Sequence, residues 1–99
     1  MTADAPSRVE VRVPSMLRAT TAGEKIVQAN GGNIGQVLED LSRRFPAFSD
    51  TIFDGSGQLR QFVNVYLNDE DIRYLGKLDA PVADGDTVSI LPAVAGGSR

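Results

Sequence analysis

The chain has 99 residues, 41% of them hydrophobic, which is enough for one domain around one core, too little for two, and leaves small room for an enclosed substrate cavity. Its formal charge is −3, and the acidic excess lies in the second half: residues 1–50 carry six basic and six acidic side chains, residues 51–99 four and seven. With no basic cluster beyond Arg43-Arg44, binding to a phosphate backbone is excluded, and the absence of Cys and His excludes disulfides, thiolate metal sites, iron–sulfur clusters and thiol chemistry.

Without His, a Ser or Thr nucleophile lacks its usual general base and a metal its commonest ligand, so no catalytic residue and no metal site are expected. Function is expected on the surface or at an end. Residues 1–7 have neither a basic n-region nor an apolar h-region and read as a disordered arm. No stretch approaches the roughly 18 apolar residues of a membrane span, so a soluble, cytoplasmic domain is expected over residues 8–92.

The first element is a strand over residues 8–13, where Val9, Val11 and Val13 alternate with Arg8, Glu10 and Arg12, closed by Pro14. A turn-rich stretch around residues 20–23 leads to a weaker strand at 24–29, carried by Ile26 and Val27, that returns as a hairpin. Gly31-Gly32 then breaks the chain. Asn33, with Gln36 three residues on, has the arrangement of a capping box and opens a helix over about 33–45. Ile34, Val37, Leu38, Leu41 and Phe45 form its apolar stripe, Glu39, Asp40, Arg43 and Arg44 face away, and Pro46 stops it.

Residues 47–57 read as irregular, with Ile52 and Phe53 as anchors and Asp54-Gly55-Ser56-Gly57 as a loop tip. Residues 62–67 form the most strongly marked strand, ahead of the turn Asn68-Asp69-Glu70-Asp71. A short segment at 72–74 is expected to pair back on it. Asp84-Gly85-Asp86 turns into the last strand, 87–91, and Pro92 closes the sheet. The order β-β-α-β-(β)-β defines an α+β chain of β-grasp type, a mixed sheet of four to five strands with one main helix on one face.

Several motifs reduce to structure. The run Asn68-Asp69-Glu70-Asp71 lacks the alternating ligands, central Gly and distant Glu of a calcium loop and is a solvated turn. With Asp79, Asp84 and Asp86 it is expected to form an acidic surface that steers a basic partner towards the C-terminal tail. Gly31-Gly32-Asn33 has neither Walker nor Rossmann spacing and is a helix entry. On the last strand Val88 and Ile90 should face the core and Leu91 outward, beside Phe62 or Tyr66, a docking surface if the three are contiguous.

After Pro92 the tail Ala93-Val94-Ala95-Gly96-Gly97-Ser98-Arg99 is uncharged up to its last residue. Five extended residues reach at most roughly 17 Å, which is enough to present Gly97 well away from the domain. Gly96-Gly97 lacks Cβ atoms and suits a narrow channel in a partner, though the same composition is ordinary for a frayed end.

Three segments together resemble the MoaD/ThiS family of ubiquitin-like sulfur carriers, and within it the actinobacterial CysO type. They are Val11-Arg12-Val13-Pro14-Ser15-Met16-Leu17-Arg18, then Phe62-Val63-Asn64-Val65-Tyr66-Leu67-Asn68-Asp69-Glu70-Asp71-Ile72-Arg73, and the run from Asp84-Gly85-Asp86 through Leu91-Pro92 to Gly96-Gly97. The last is the most specific. The resemblance implies a carrier, not an enzyme, with no bound cofactor and monomeric alone. An E1-like adenylyltransferase would use ATP and magnesium to activate the Gly97 carboxylate, with Ala95 and Gly96 threading its channel. A sulfur donor would then displace AMP and leave a thiocarboxylate.

For the CysO type the implied acceptor is an activated serine such as O-phosphoserine on a cysteine synthase; relatives serve other sulfur-accepting synthases. The family pattern ends at Gly-Gly, whereas this chain continues with Ser98-Arg99. Either a protease, of the JAMM metalloprotease type, cuts between Gly97 and Ser98, or the two residues are an addition to the natural chain. Two other functions share the sequence features: a modifier joined through its tail to lysines of other proteins, and a ubiquitin-like interaction domain with an inert tail. An acyl carrier is excluded by the lack of an Asp-Ser attachment motif, and a ferredoxin by the lack of Cys.

Overall fold

The computed structural model describes residues 7–92. Five strands form one mixed sheet: β1 (Ser7–Arg12), β2 (Ile26–Gly31), β3 (Val63–Leu67), β4 (Glu70–Asp71) and β5 (Thr87–Pro92), in the order β2-β1-β5-β3-β4. β1 pairs antiparallel with β2 and parallel with β5, and β3 pairs antiparallel with both β5 and β4. Helix α1 (Ile34–Arg44) crosses one face, and the sheet grasps it in the β-grasp arrangement.

Alternation places Val9, Val11, Val27, Ala29, Val63, Val65, Val88 and Ile90 on the inner face, where all are buried. They meet the α1 stripe of Ile34, Val37, Leu38 and Leu41, which is fully buried, while Phe45 packs at its margin. Asn33 caps α1 by accepting from the Gln36 N–H at 2.8 Å. The reciprocal bond is displaced by one residue from the usual box: Gln36 Oε1 accepts from the Gly32 N–H at 2.7 Å. Arg43 and Arg44 occupy the last turn of α1, where cations oppose the negative end of the helix dipole.

Four local expectations are corrected. β2 runs on to Gly31, which pairs with Ser7. Gly31 is no breaker: a Cβ there would lie 2.7 Å from the Val37 nitrogen, so its smallness lets the strand approach α1 closely. Residues 15–21 form a 3-10 helix that buries Leu17 and Thr21, not a plain turn, and the Thr21 hydroxyl donates to the Glu24 carbonyl at 3.0 Å.

Residues 46–52 form a second helix, α2 (Pro46–Ile52), where irregular chain is expected. Pro46 ends α1 and also starts α2 at its first position, where its missing N–H costs nothing. Phe48 and Ile52, four apart, then bury fully on one side. Finally, residues 72–74 form a 3-10 turn, and the strand that returns on β3 is Glu70–Asp71. Asn68 and Asp69 both have left-handed backbones, φ 50° and 75°, and make the two-residue hairpin that brings Glu70 opposite Leu67.

Candidate functional site: the last strand and the open sheet face

β5 carries the candidate site because the tail follows it. It lies in the middle of the sheet, with Glu10, Val11 and Arg12 beside Thr87, Val88 and Ser89 on one side, and residues 63–67 beside 88–92 on the other. Its entry is tied down. The Arg8 N–H donates to Asp84 Oδ1 at 2.7 Å, the Gly85 N–H to the Arg8 carbonyl at 3.0 Å, and the Ala83 N–H to Asp86 Oδ2 at 2.8 Å. Asn68 clasps Thr87 twice, through N–H to carbonyl at 2.8 Å and through Oδ1 accepting from the Thr87 N–H at 2.9 Å.

These bonds also place the acidic turns. Asp84, Asp86, Asn68 and Asp69 all sit at the start of β5, about 17 Å of strand away from its Pro92 end. Asp71 is held by Arg73, which approaches Asp71 Oδ2 to 2.6 Å. The Arg73 side chain and backbone bonds hold the Asp71 carboxyl below its ordinary range and raise the Arg73 guanidinium in return. Of the acidic surface expected to steer a partner to the tail, Asp69, Asp84 and Asp86 therefore lie at the opposite pole of the sheet, and Asp71, Asp84 and Asp86 are engaged internally.

On the open face, strand pairing aligns Ile26, Arg12, Ser89, Tyr66 and Asp71 in one row across all five strands. In the next row, nearer the tail, Leu91 lies opposite Asn64. That register makes Tyr66 a diagonal neighbour of Leu91, about 7–8 Å away, and Phe62 stands at the entry to β3. Leu91 is 49% exposed, Phe62 43%, and Tyr66 is half-buried beneath the face. Ile26, 46% exposed, adds an apolar residue on the far side of the same face, behind the Arg12–Glu10 ion pair at 3.5 Å. Ile26 was legible as a strand residue, and its pairing with Arg12 puts it on the open face.

Gly97, its threading neighbours Ala95 and Gly96, and the Gly97-Ser98 processing site lie outside the described residues. Among the described residues no group of three or more acidic, His or Cys side chains is placed to hold a metal ion, and no helix is long and apolar enough to cross a membrane.

One main helix, α1, grasped by a five-stranded mixed sheet, with the last strand central and a tail following it, defines a small ubiquitin-like domain. The chain belongs to the ThiS family, whose model matches residues 11–97. It is 48% identical to the sulfur carrier protein CysO of Mycobacterium tuberculosis over 90% of this chain and 98% of that protein. The crystal structure of M. tuberculosis CysO superposes with a TM-score of 0.80, covering 87% of this chain and 99% of that one. CysO in the Amycolatopsis orientalis BexX/CysO complex is 45% identical with a TM-score of 0.83, over 90% and 99% of the two chains. The small archaeal modifier protein 1 of Methanosarcina acetivorans is 30% identical with a TM-score of 0.84, over 93% and 98%.

Proposed function

We propose that this protein is a sulfur carrier whose reactive atom is the carboxyl carbon of Gly97. The observation that carries this reading is the family match, which extends from residue 11 through Gly97 and leaves Ser98-Arg99 beyond it, together with close relatives named as sulfur carriers. In the proposed cycle Ser98-Arg99 is first removed by a JAMM-type metalloprotease. An E1-like adenylyltransferase then joins the freed carboxylate to AMP from magnesium-bound ATP, releasing pyrophosphate. A sulfur donor attacks the acyl carbon, AMP leaves, and a thiocarboxylate remains. On a cysteine synthase the thiocarboxylate sulfur takes the place of the phosphate of O-phosphoserine, and phosphate leaves. The new cysteine, still joined to the Gly97 carbonyl, is freed when a metalloprotease hydrolyses that link and returns the carboxylate; the precursor of another thio-metabolite is the alternative acceptor.

The domain's part is delivery, and it supplies no catalytic side chain. β5, bonded on both edges, fixes the base of the tail, and Leu91, Phe62 and Tyr66 offer the activating enzyme an apolar docking surface beside that base. The BexX/CysO complex supports the idea that such carriers act seated on partner proteins.

Intact-mass measurement of the protein from its own cell tests the proposal: loss of Ser98-Arg99 and replacement of one terminal oxygen by sulfur are expected. Only full-length carboxylate during sulfur-demanding growth would overturn it. A second reading, conjugation of the tail to lysines of other proteins, is favoured by the likeness to small archaeal modifier proteins, and its signature is a ladder of conjugates.

A further inference from the structure

The two edges of the sheet are finished differently. At β2, the outer backbone groups are covered by α1: the Asn30 N–H donates to Asp40 Oδ2 at 3.0 Å, and Arg44 Nη2 donates to the Gln28 carbonyl at 2.6 Å. At the other edge β4 is only two residues long and pairs with Tyr66 and Leu67 alone. Asp71 then caps a 3-10 turn by accepting from the Arg73 N–H at 2.9 Å, and left-handed backbone at Gly76 and Lys77, φ 113° and 58°, leads the chain onward. Residues 63–65 are left without a strand neighbour on that side.

Beside them is a groove of about 570 Å³. Val63 and Val65 form its floor, and Leu59, Ile72 and Leu78 contribute apolar walls. The two-residue hairpin makes Leu67 and Glu70 the hydrogen-bonded pair that flanks the turn, so the backbone groups of Leu67 point towards β4. By alternation those of Val65 and the Val63 carbonyl point the same way, into the groove, while the Val63 N–H is already donated to the Arg60 carbonyl at 3.0 Å. Arg60 and Lys77 also line it, and among the described residues neither is in an ion pair, whereas Arg73 is held by Asp71. Asp79 is the one lining carboxylate outside that pair.

We propose that this groove binds an extended peptide segment of a partner protein, added to the sheet as a strand beside residues 63–65, with apolar side chains alternating with carboxylates. The apolar positions would rest on Leu59, Val63 and Leu78, and the carboxylates would meet Arg60 and Lys77. Charge favours this occupant: the chain is acidic at −3 overall, yet in this groove Lys77 and Arg60, the latter donating only to the Asp50 carbonyl at 3.3 Å, outnumber the one lining carboxylate outside the Asp71–Arg73 pair. The site adjoins the base of the tail, since Val63 pairs with Pro92, but it uses the other edge of β3 and none of Leu91, Phe62 and Tyr66, and it stands whether or not the proposed function is right.

The test is an amide NMR titration of the full chain with acetyl-Val-Asp-Val-Glu-Val-amide, with its Lys-for-acid counterpart, and with the acidic peptide N-methylated at alternate amides on each edge in turn. Expected are shifts centred on residues 63–65, Ile72 and Lys77, a dissociation constant on the order of 1 mM, no response to the Lys peptide, and loss of binding when one edge is methylated. Lys77→Asn removes the charge with a residue that tolerates left-handed backbone and should weaken binding about tenfold. Shifts elsewhere, equal binding of the Lys peptide, or indifference to methylation on both edges would overturn the proposal. So would a wild type that binds nothing while Lys77→Asn self-associates, since Lys77 would then be a guard against sheet-to-sheet pairing.

Discussion

Leu91 shows how a single side chain separates folding from recognition. It lies on the open face, half exposed, one residue past the fully buried Ile90, so an arginine there meets solvent and spares the core. Leu91→Arg is expected to change stability by less than about 0.5 kcal/mol in urea unfolding. It should lower kcat/KM for adenylation by the activating enzyme about tenfold or more, and unchanged adenylation of the folded variant would remove Leu91 from the docking surface.

Asp71 gives a pH signature at the same scale. Its carboxyl is held below its ordinary range, first by the Arg73 side chain and then by the Arg73 N–H. Because the folded value is the lower one, its contribution is complete above the unfolded aspartate range and is lost as pH falls through the folded value. The stability gap between wild type and Asp71→Asn should therefore be constant near neutrality and close on acidification; a gap that widens in acid would contradict the assignment.

At the scale of elements, the β2 edge depends on one carboxylate. Asp40 accepts from the Asn30 N–H and holds both Arg43 and Arg44, the second of which covers the Gln28 carbonyl. Asp40→Ala is expected to cost about 1–2 kcal/mol and to make the protein self-associate with concentration, measurable by denaturation and sedimentation. A variant that stays monomeric and equally stable would show the edge to be indifferent to its cover.

The elements also mark how much of the molecule could be read from its residues. The valine alternation of β1, the stripe of α1 and the aromatic-rich β3 carry their periods locally, and all three stand where expected, as does the exposed side of Leu91. Helix α2 was not legible, because seven residues give too little periodicity and Pro46 signals a stop as strongly as a start. β2 was set two residues early, because Gly31 reads as a breaker until α1 is seen pressing on it. The position of the acidic turns relative to the tail required the pairing of Asn68 with Thr87, a contact between segments nineteen residues apart.

For the whole molecule, the buried apolar residues among those described run from Val9 to Ile90. Deleting residues 93–99 should leave the urea midpoint unchanged while abolishing adenylation, and a substantial loss of stability would mean that the tail is part of the fold as well as its reactive end.

The placement of β5 has a mechanical consequence. A partner that draws on the C-terminus pulls along the axis of a strand flanked by β1 running parallel and β3 running antiparallel. The load is then shared as shear by both ladders at once and is not met one bond at a time, as it would be in peeling a hairpin. An enzyme can therefore tug the end of this chain through a tight passage without unravelling the body behind it.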